Sequence, residues 1–358
     1  SPEVSYSRNL LNSRKTDIFF PLKDPRHSKN SLLSLFYSVF ELIEIGVKEE
    51  RERLLNFLWF TAFVLMGYAG FSTTIGAHRL FTHRSFKATT SLIVILIIGQ
   101  TLAGQNCLWV WVRDHRQHHK FSDTDADPHN SNRGFFFSHV GWLMMKKHPM
   151  VIEKGRTIDM TDMSSDPYVM FQKRFYKSLF TLFGVLIPVA VPCYLWNETL
   201  PNCFMISLIV RLWVTNNIVW LVNSWAHWSG TKPYDRKIAA VESFWVSLLC
   251  LGEGWHNYHH VFPWDYRTSE AGAWPNASTR VIDWLQRLGL AYDLKAATDR
   301  MIARKILRDG DGSHPLADLP LEMADPAIWQ HPVPPFEPML NNRFLSEHLA
   351  LPRIDTFP

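Results

Sequence analysis

Residues 88–112 read ATTSLIVILIIGQTLAGQNCLWVWV, a run without a single charged side chain. At about 1.5 Å of rise per residue such a run is long enough to cross a bilayer as one helix. It stands, however, between two histidine-rich motifs, HRLFTH at 78–83 and HRQHH at 115–119. A single crossing would put these motifs on opposite faces of the membrane, where they could not share a site. The run is therefore expected to be an interfacial or re-entrant helical segment buried against neighbouring spans. That decision sets the parity of the fold: an all-α integral membrane protein with four transmembrane helices and a helical cap on one side.

Working outward, Leu54 to Gly76 is the clearest span. Ser178 to Trp196 and Cys203 to Trp225 form a second pair, joined by Asn197-Glu198-Thr199-Leu200-Pro201-Asn202. Arg211 lies inside the last span and is expected either to snorkel to the nearer surface or to face the bundle interior. Ser31 to Val47 contains Glu41 and Glu44 and is barely long enough to cross. If the His78 end of the 54–76 span is cytosolic, Lys48 to Arg53 becomes a lumenal loop, and the basic N-terminus stays cytosolic only if 31–47 crosses. The expected organisation is a cytosolic segment 1–30, a membrane domain 31–314 with spans near 31–47, 54–76, 178–196 and 203–225, a cytosolic cap formed by 113–177 and 228–314, and an extended, proline-rich arm over 315–358.

Composition narrows the function. The chain has 358 residues, 47% of them hydrophobic, segregated into apolar runs and charged stretches as in a membrane protein with a water-facing part. A net charge of +4 with no basic stripe argues against nucleic acid as a partner. Cys107, Cys193, Cys203 and Cys250 are scattered without CxxC spacing, so no disulfide framework is expected. The first thirty residues lack the apolar centre of a cleavable signal. Of two sequons, Asn197-Glu198-Thr199 falls in the expected lumenal loop, and Asn276-Ala277-Ser278 in the cytosolic cap.

Nine of the sixteen histidines gather at the expected cytosolic ends of membrane segments: His78 and His83, then His115, His118 and His119, then His227 in NSWAH, then His256, His259 and His260 in HNYHH. On a helix, positions i, i+3 and i+4 share a face, so each HxxHH presents three imidazoles to one small volume. Imidazole ligates iron, zinc, copper and nickel alike. Nine of them exceed the needs of one tetrahedral zinc site and suffice for two ions with open positions. The lone His139 and His148 read as polar residues of the membrane surface. Asp123, Asp125 and Asp127 resemble the opening of a calcium loop, but Pro128 and Gly134 occupy the positions that need glycine and glutamate. No HExxH is present, which removes the zinc-protease reading.

HRLFTHRSFKA, DHRQHHKFSDTDADPHNSNRGFFFSHVGW and GEGWHNYHHVFPWDYR resemble the three histidine boxes of the animal stearoyl-CoA desaturases, and the resemblance extends from about Leu54 to His314. It implies a four-span enzyme of the endoplasmic reticulum with its termini and active site cytosolic. It further implies two iron ions, long-chain acyl-CoA and O2 as substrates, electrons from cytochrome b5 and its reductase, and a cis double bond at the delta-9 position. Carried over by motif, the metal site would comprise the nine histidines, with Asn223 holding one iron through water. Asn106, Arg113, Asp114, Lys146 and Lys147 would meet the CoA head group, whose phosphates suit charge-assisted hydrogen bonds. Gln105, Trp111 and Trp220 would line a bent acyl tunnel that Met66 and Gly70 close at its far end. Val219 and Trp225 depart from the usual threonine and small residue of the family and are expected to reshape the tunnel near the metals. A membrane fatty acid hydroxylase or alkane monooxygenase shares such histidine clusters and is the nearest alternative, followed by a metal or lipid transporter.

Overall fold

The computed structural model describes residues 31–318. The expected segment 1–30 and most of the expected C-terminal arm, from residue 319 on, lie outside the described residues. The chain divides into two units, Ser1–Arg53 and Leu54–Pro358. In the first, residues 31–53 are helical throughout, belonging to α1 (Ser31–Phe71). The loop expected at Lys48 to Arg53 is therefore absent. KEERER is composed of strong helix formers with no glycine or proline to break it, and Arg53 lies 3.7 Å from Glu50 one turn before it.

Three helices among the described residues are long and apolar enough to cross a membrane: Lys48–Thr82, Pro167–Leu195 and Leu200–His227. The spans expected at 54–76, 178–196 and 203–225 fall within or largely overlap them. The Pro167–Leu195 helix begins about ten residues earlier than expected, because Asp166 caps it by accepting the amides of Tyr168 and Val169. Arg211 is fully buried and faces inward, donating to the carbonyls of Ser207, Leu102 and Gly184. Those three partners come from three different parts of the chain, so one guanidinium joins the helices around it.

The 88–112 run is not one helix. It forms α2 (Thr90–Ala103) and the start of α3 (Leu108–Phe121), bent by 83° at the break. At 14 residues α2 is about 21 Å long, short of the roughly 30 Å hydrocarbon thickness. The corner uses two left-handed residues, Gly104 (φ +70°) and Asn106 (φ +74°). Its freed polar groups are satisfied internally. Gln172, fully buried on α4 (Pro167–Leu179), accepts the Leu108 amide and donates to Gln100 and Thr101, while Gln100 donates to the Asn106 carbonyl. On its other side α2 packs against the buried continuation of α1, Ser72–Thr82, which widens to π-helical geometry.

The chain then builds a cap from α6 (His256–Val261), α7 (Ala277–Arg287) and α8 (Asp299–Asp309), after α5 (Arg211–Ser224) closes the last apolar helix. The all-α expectation needs one amendment. Lys87–Ala88 pairs antiparallel with Ala291–Tyr292, in register Lys87 to Tyr292 and Ala88 to Ala291. This two-residue ladder fastens the exit of the first histidine motif to the C-terminal part of the cap.

Candidate metal centre

Four elements deliver the imidazoles. The widened turn after α1 carries His78 and ends at His83, α3 carries His115, His118 and His119 on one face, and α6 carries His256, His259 and His260; His227 follows α5. The nine sort into two groups. His78, His83, His115, His119 and His259 form one; His118, His227, His256 and His260 form the other. The corner between α2 and α3 is what lets HRLFTH and HRQHH meet: the rings of His78 and His115 are 4.7 Å apart.

Within each group the Nε2 atoms face one another. The separations are 2.9 Å for His78 and His259, 3.0 Å for His259 and His119, and 3.1 Å for His119 and His115. In the second group they are 3.1 Å for His227 and His256, and 3.0 Å for His256 and His260. Two nitrogens bound at about 2.1 Å to one ion lie about 3.0 Å apart at a right angle and about 3.4 Å apart at the tetrahedral angle. The observed spacing suits an ion with more than four ligands. His259 and His119 each face two other nitrogens through a single Nε2, an arrangement that one proton per ring cannot satisfy but a shared cation can. Burial first, and neighbouring imidazoles second, hold His256, His259 and His260 well below the ordinary histidine range. Their rings are neutral at neutral pH, with lone pairs available to a metal.

Carboxylates hold the outer nitrogens. His118 Nδ1 is 2.9 Å from Asp127, His227 Nδ1 is 3.1 Å from Asp123, and His78 Nδ1 is 2.9 Å from Glu253. A carboxylate there keeps the proton on Nδ1 and turns Nε2 inward as a ligand. Glu253 is itself clamped by Arg79, fully buried, through bonds of 3.2 and 3.0 Å. Although burial opposes it, charge and hydrogen bonding from the histidines keep Asp123 and Asp127 below the usual carboxylate range. Glu253 is likewise held low, its burial outweighed by Arg79 and His78.

Residues 56–274 match the family described as fatty acid desaturase. The chain belongs to the fatty acid desaturase family. It is 51% identical over 273 residues to an acyl-CoA Delta-9 desaturase of Acheta domesticus, covering 75% of this chain and 76% of the relative. It is 52% identical over 246 residues to stearoyl-CoA desaturase 4 of Mus musculus, covering 69% and 70%. It is also 50% identical over 269 residues to an acyl-CoA Delta12-desaturase of Acheta domesticus, covering 74% and 75%.

In this desaturase the other expected residues are distributed as follows. Asn223 stands on α5 one turn before His227 and is partly buried. Gln105 accepts from the Trp111 indole at 3.1 Å, and Trp111 stacks on His115 at 5.0 Å. Asn106 caps the Cys107 amide. Asp114 gathers Arg113 at 2.6 Å and Lys147 at 2.7 Å. Lys146 and Lys147 line a small pocket with Asp125, Arg133 and His148. Trp220 packs 5.9 Å from His139, whose nitrogens meet Ser224 and Asn217. His139 is half-buried and belongs to neither imidazole group. Met66 and Gly70 lie on α1, where a Cβ at Gly70 would approach Leu251 to 3.2 Å. Trp225 turns outward and meets Phe135 and Trp228 edge to face; it takes no part in either imidazole group.

Sequence reasoning missed the carboxylates. Asp123 and Asp127 were weighed only as calcium ligands, and Glu253 not at all. Their signal is positional: an acid four and eight residues after HRQHH, and one three residues before HNYHH. Arg79 carries no such signal, because only the fold places it against Glu253.

Proposed function

We propose that this chain is an acyl-CoA desaturase that inserts a cis double bond, at the delta-9 position, into a saturated long-chain acyl-CoA. The observation that carries the reading is the pair of inward-facing imidazole groups, five and four strong, in a chain about half identical to acyl-CoA desaturases. Two iron ions would be held by those nine histidines, with Asn223 reaching the second group through water. Bound iron supplies the oxidising power that no side chain has: O2 leaves as two waters after taking two hydrogens from adjacent CH2 groups, two electrons and two protons. Cytochrome b5 and its reductase would provide the electrons.

The chain's own residues bind, aim and exclude. Arg113 and Lys147, both fixed by Asp114, and the neighbouring Lys146 and Asn106 would receive the CoA head group. Gln105, Trp111 and Trp220 would hold the acyl chain beside the imidazoles, with Trp111 locked by both a hydrogen bond and a stacked His115; such fixed orientation contributes strongly to rate. Met66 and Gly70 would end the tunnel and set chain length. The buried carboxylates keep His78, His118 and His227 in the ligating tautomer. The enzyme would sit in the endoplasmic reticulum membrane with its metal centre cytosolic and 88–112 returning to the side it left; the continuous α1 leaves no turn for 31–47 to cross as a separate fourth span.

Expression in a desaturase-deficient yeast, with mass-spectrometric localisation of double bonds, tests the reading. Delta-9 monounsaturated chains should appear and vanish in His119→Ala. A delta-12 product would refute the position, and hydroxylated chains would refute desaturation.

A further inference from the structure

The two residues between the histidines of HNYHH face away from the metal centre, and each is fully buried. Asn257 makes four hydrogen bonds to one loop: it accepts the amides of Tyr234 and Asp235 at 2.9 and 3.1 Å and donates to the carbonyls of Asp235 and Ala240 at 3.0 and 2.9 Å. Tyr258 donates to Asp265 at 2.7 Å. The same Asp265 oxygen accepts the Ala297 amide at 2.8 Å and pairs with Arg267 at 2.7 Å, and Arg267 reaches the Ala297 carbonyl. Around the Tyr258 ring pack Tyr234, Phe262, Ala297, Ile302 and Ile306. The back of α6 is thereby bolted to the segment that leads into α8.

The front of α6 lacks such anchors. His256 Nδ1 and His259 Nδ1 are buried and have no hydrogen-bond partner among the described residues, unlike the outer nitrogens of His118 and His227. A ring without an outer hydrogen bond takes its orientation from its backbone. For these two ligands, one in each group, that means the pose of a helix only six residues long. Resting on the reading of the two groups as a metal centre, we propose that Tyr258 is a positioning residue: its hydroxyl, through Asp265, makes the Ala297–Asp309 segment hold His256 and His259 in ligating geometry.

The test uses the full-length protein in detergent. Metal per polypeptide is measured against increasing chelator, and the melting temperature is measured with and without metal. Tyr258→Phe keeps the ring and its packing and removes only the hydroxyl, and Asp265→Asn weakens the same bond from the other end. Both variants should release metal at chelator concentrations about 10- to 100-fold lower than the unaltered protein, with the melting temperature of the metal-free form unchanged in Tyr258→Phe and lowered in Asp265→Asn, which also strips Arg267 of its carboxylate partner. Unaltered chelator resistance in Tyr258→Phe would overturn the proposal, as would an equal fall in that variant's melting temperature with and without metal, the mark of a merely structural role. An unaltered protein that binds no metal would instead remove the metal-centre reading on which the proposal rests.

Discussion

Replacing Glu253 by Gln changes one atom at the junction of two histidine motifs. Glu253 offers one oxygen to Arg79 at 3.0 and 3.2 Å and the other to His78 Nδ1 at 2.9 Å. An amide in its place still accepts from Arg79 but presents an N–H to Nδ1, driving the His78 proton to Nε2, the atom that faces His259 at 2.9 Å. His78 then points a proton where a ligand is needed. Two magnitudes follow. Leaving the buried guanidinium without its counter-charge costs about 3–5 kcal/mol of stability, and loss of an outer carboxylate lowers metal affinity by roughly 10- to 100-fold. The assay is metal content per polypeptide over a chelator series, with thermal unfolding in parallel. Glu253→Gln should lose metal first and melt lower, while Glu253→Asp should fall between. If Glu253→Gln retained metal as firmly as the unaltered protein, the carboxylate would not be setting the His78 tautomer, and the reasoning would be wrong.

Asp162 receives three hydrogen bonds from Arg116 and Arg84, and although its burial opposes it, they hold its carboxyl below the usual carboxylate range. A depressed carboxyl stabilises the fold fully above its unfolded value and less as pH falls through it. Asp162→Asn should therefore cost roughly 1.5–3 kcal/mol at neutral pH, a gap that closes in melting curves below about pH 4; a constant gap would refute the charge argument. Arg211→Leu removes the donor for three buried carbonyls and should cost at least about 3 kcal/mol, read from detergent-titrated unfolding, with Arg211→Lys milder. Asn197 is exposed between two apolar helices, whereas Asn276 is 4% exposed and caps α7 through the Thr279 amide. With the topology proposed above, an endoglycosidase-sensitive mobility shift should disappear in Asn197→Gln, and its persistence would overturn that topology.

Local order and residue chemistry determined much of this protein. Three of the apolar helices were legible because a stretch of about twenty residues with at most one charge has few alternatives to a buried helix, and the nine imidazoles because HxxHH puts its histidines on one face of any helix. Even the meeting of HRLFTH and HRQHH followed from reading them as parts of one site, and the run between them is bent by 83°. Tertiary structure decided the rest. The 83° corner at Gly104 to Cys107 depends on Gln172, a residue 64 positions beyond the amide it satisfies. The division of the imidazoles into five and four splits α3 and α6 alike, since His118 parts from His119 and His259 from His256; sequence spacing places such neighbours together and cannot say which group each will join. The continuous helix through Lys48 to Arg53 corrected an expectation drawn from charge, which reports where water is and not where a helix ends. Glu253 and Asp123 owe their roles to pairings with His78 and His227 across long chain separations, whereas Asp127 and Tyr258 meet His118 and Asp265 only nine and seven residues away, in contacts that spacing permits but does not single out. A carboxylate 2.9 Å from His78 and 175 residues away in sequence acquires its meaning only when folding buries both.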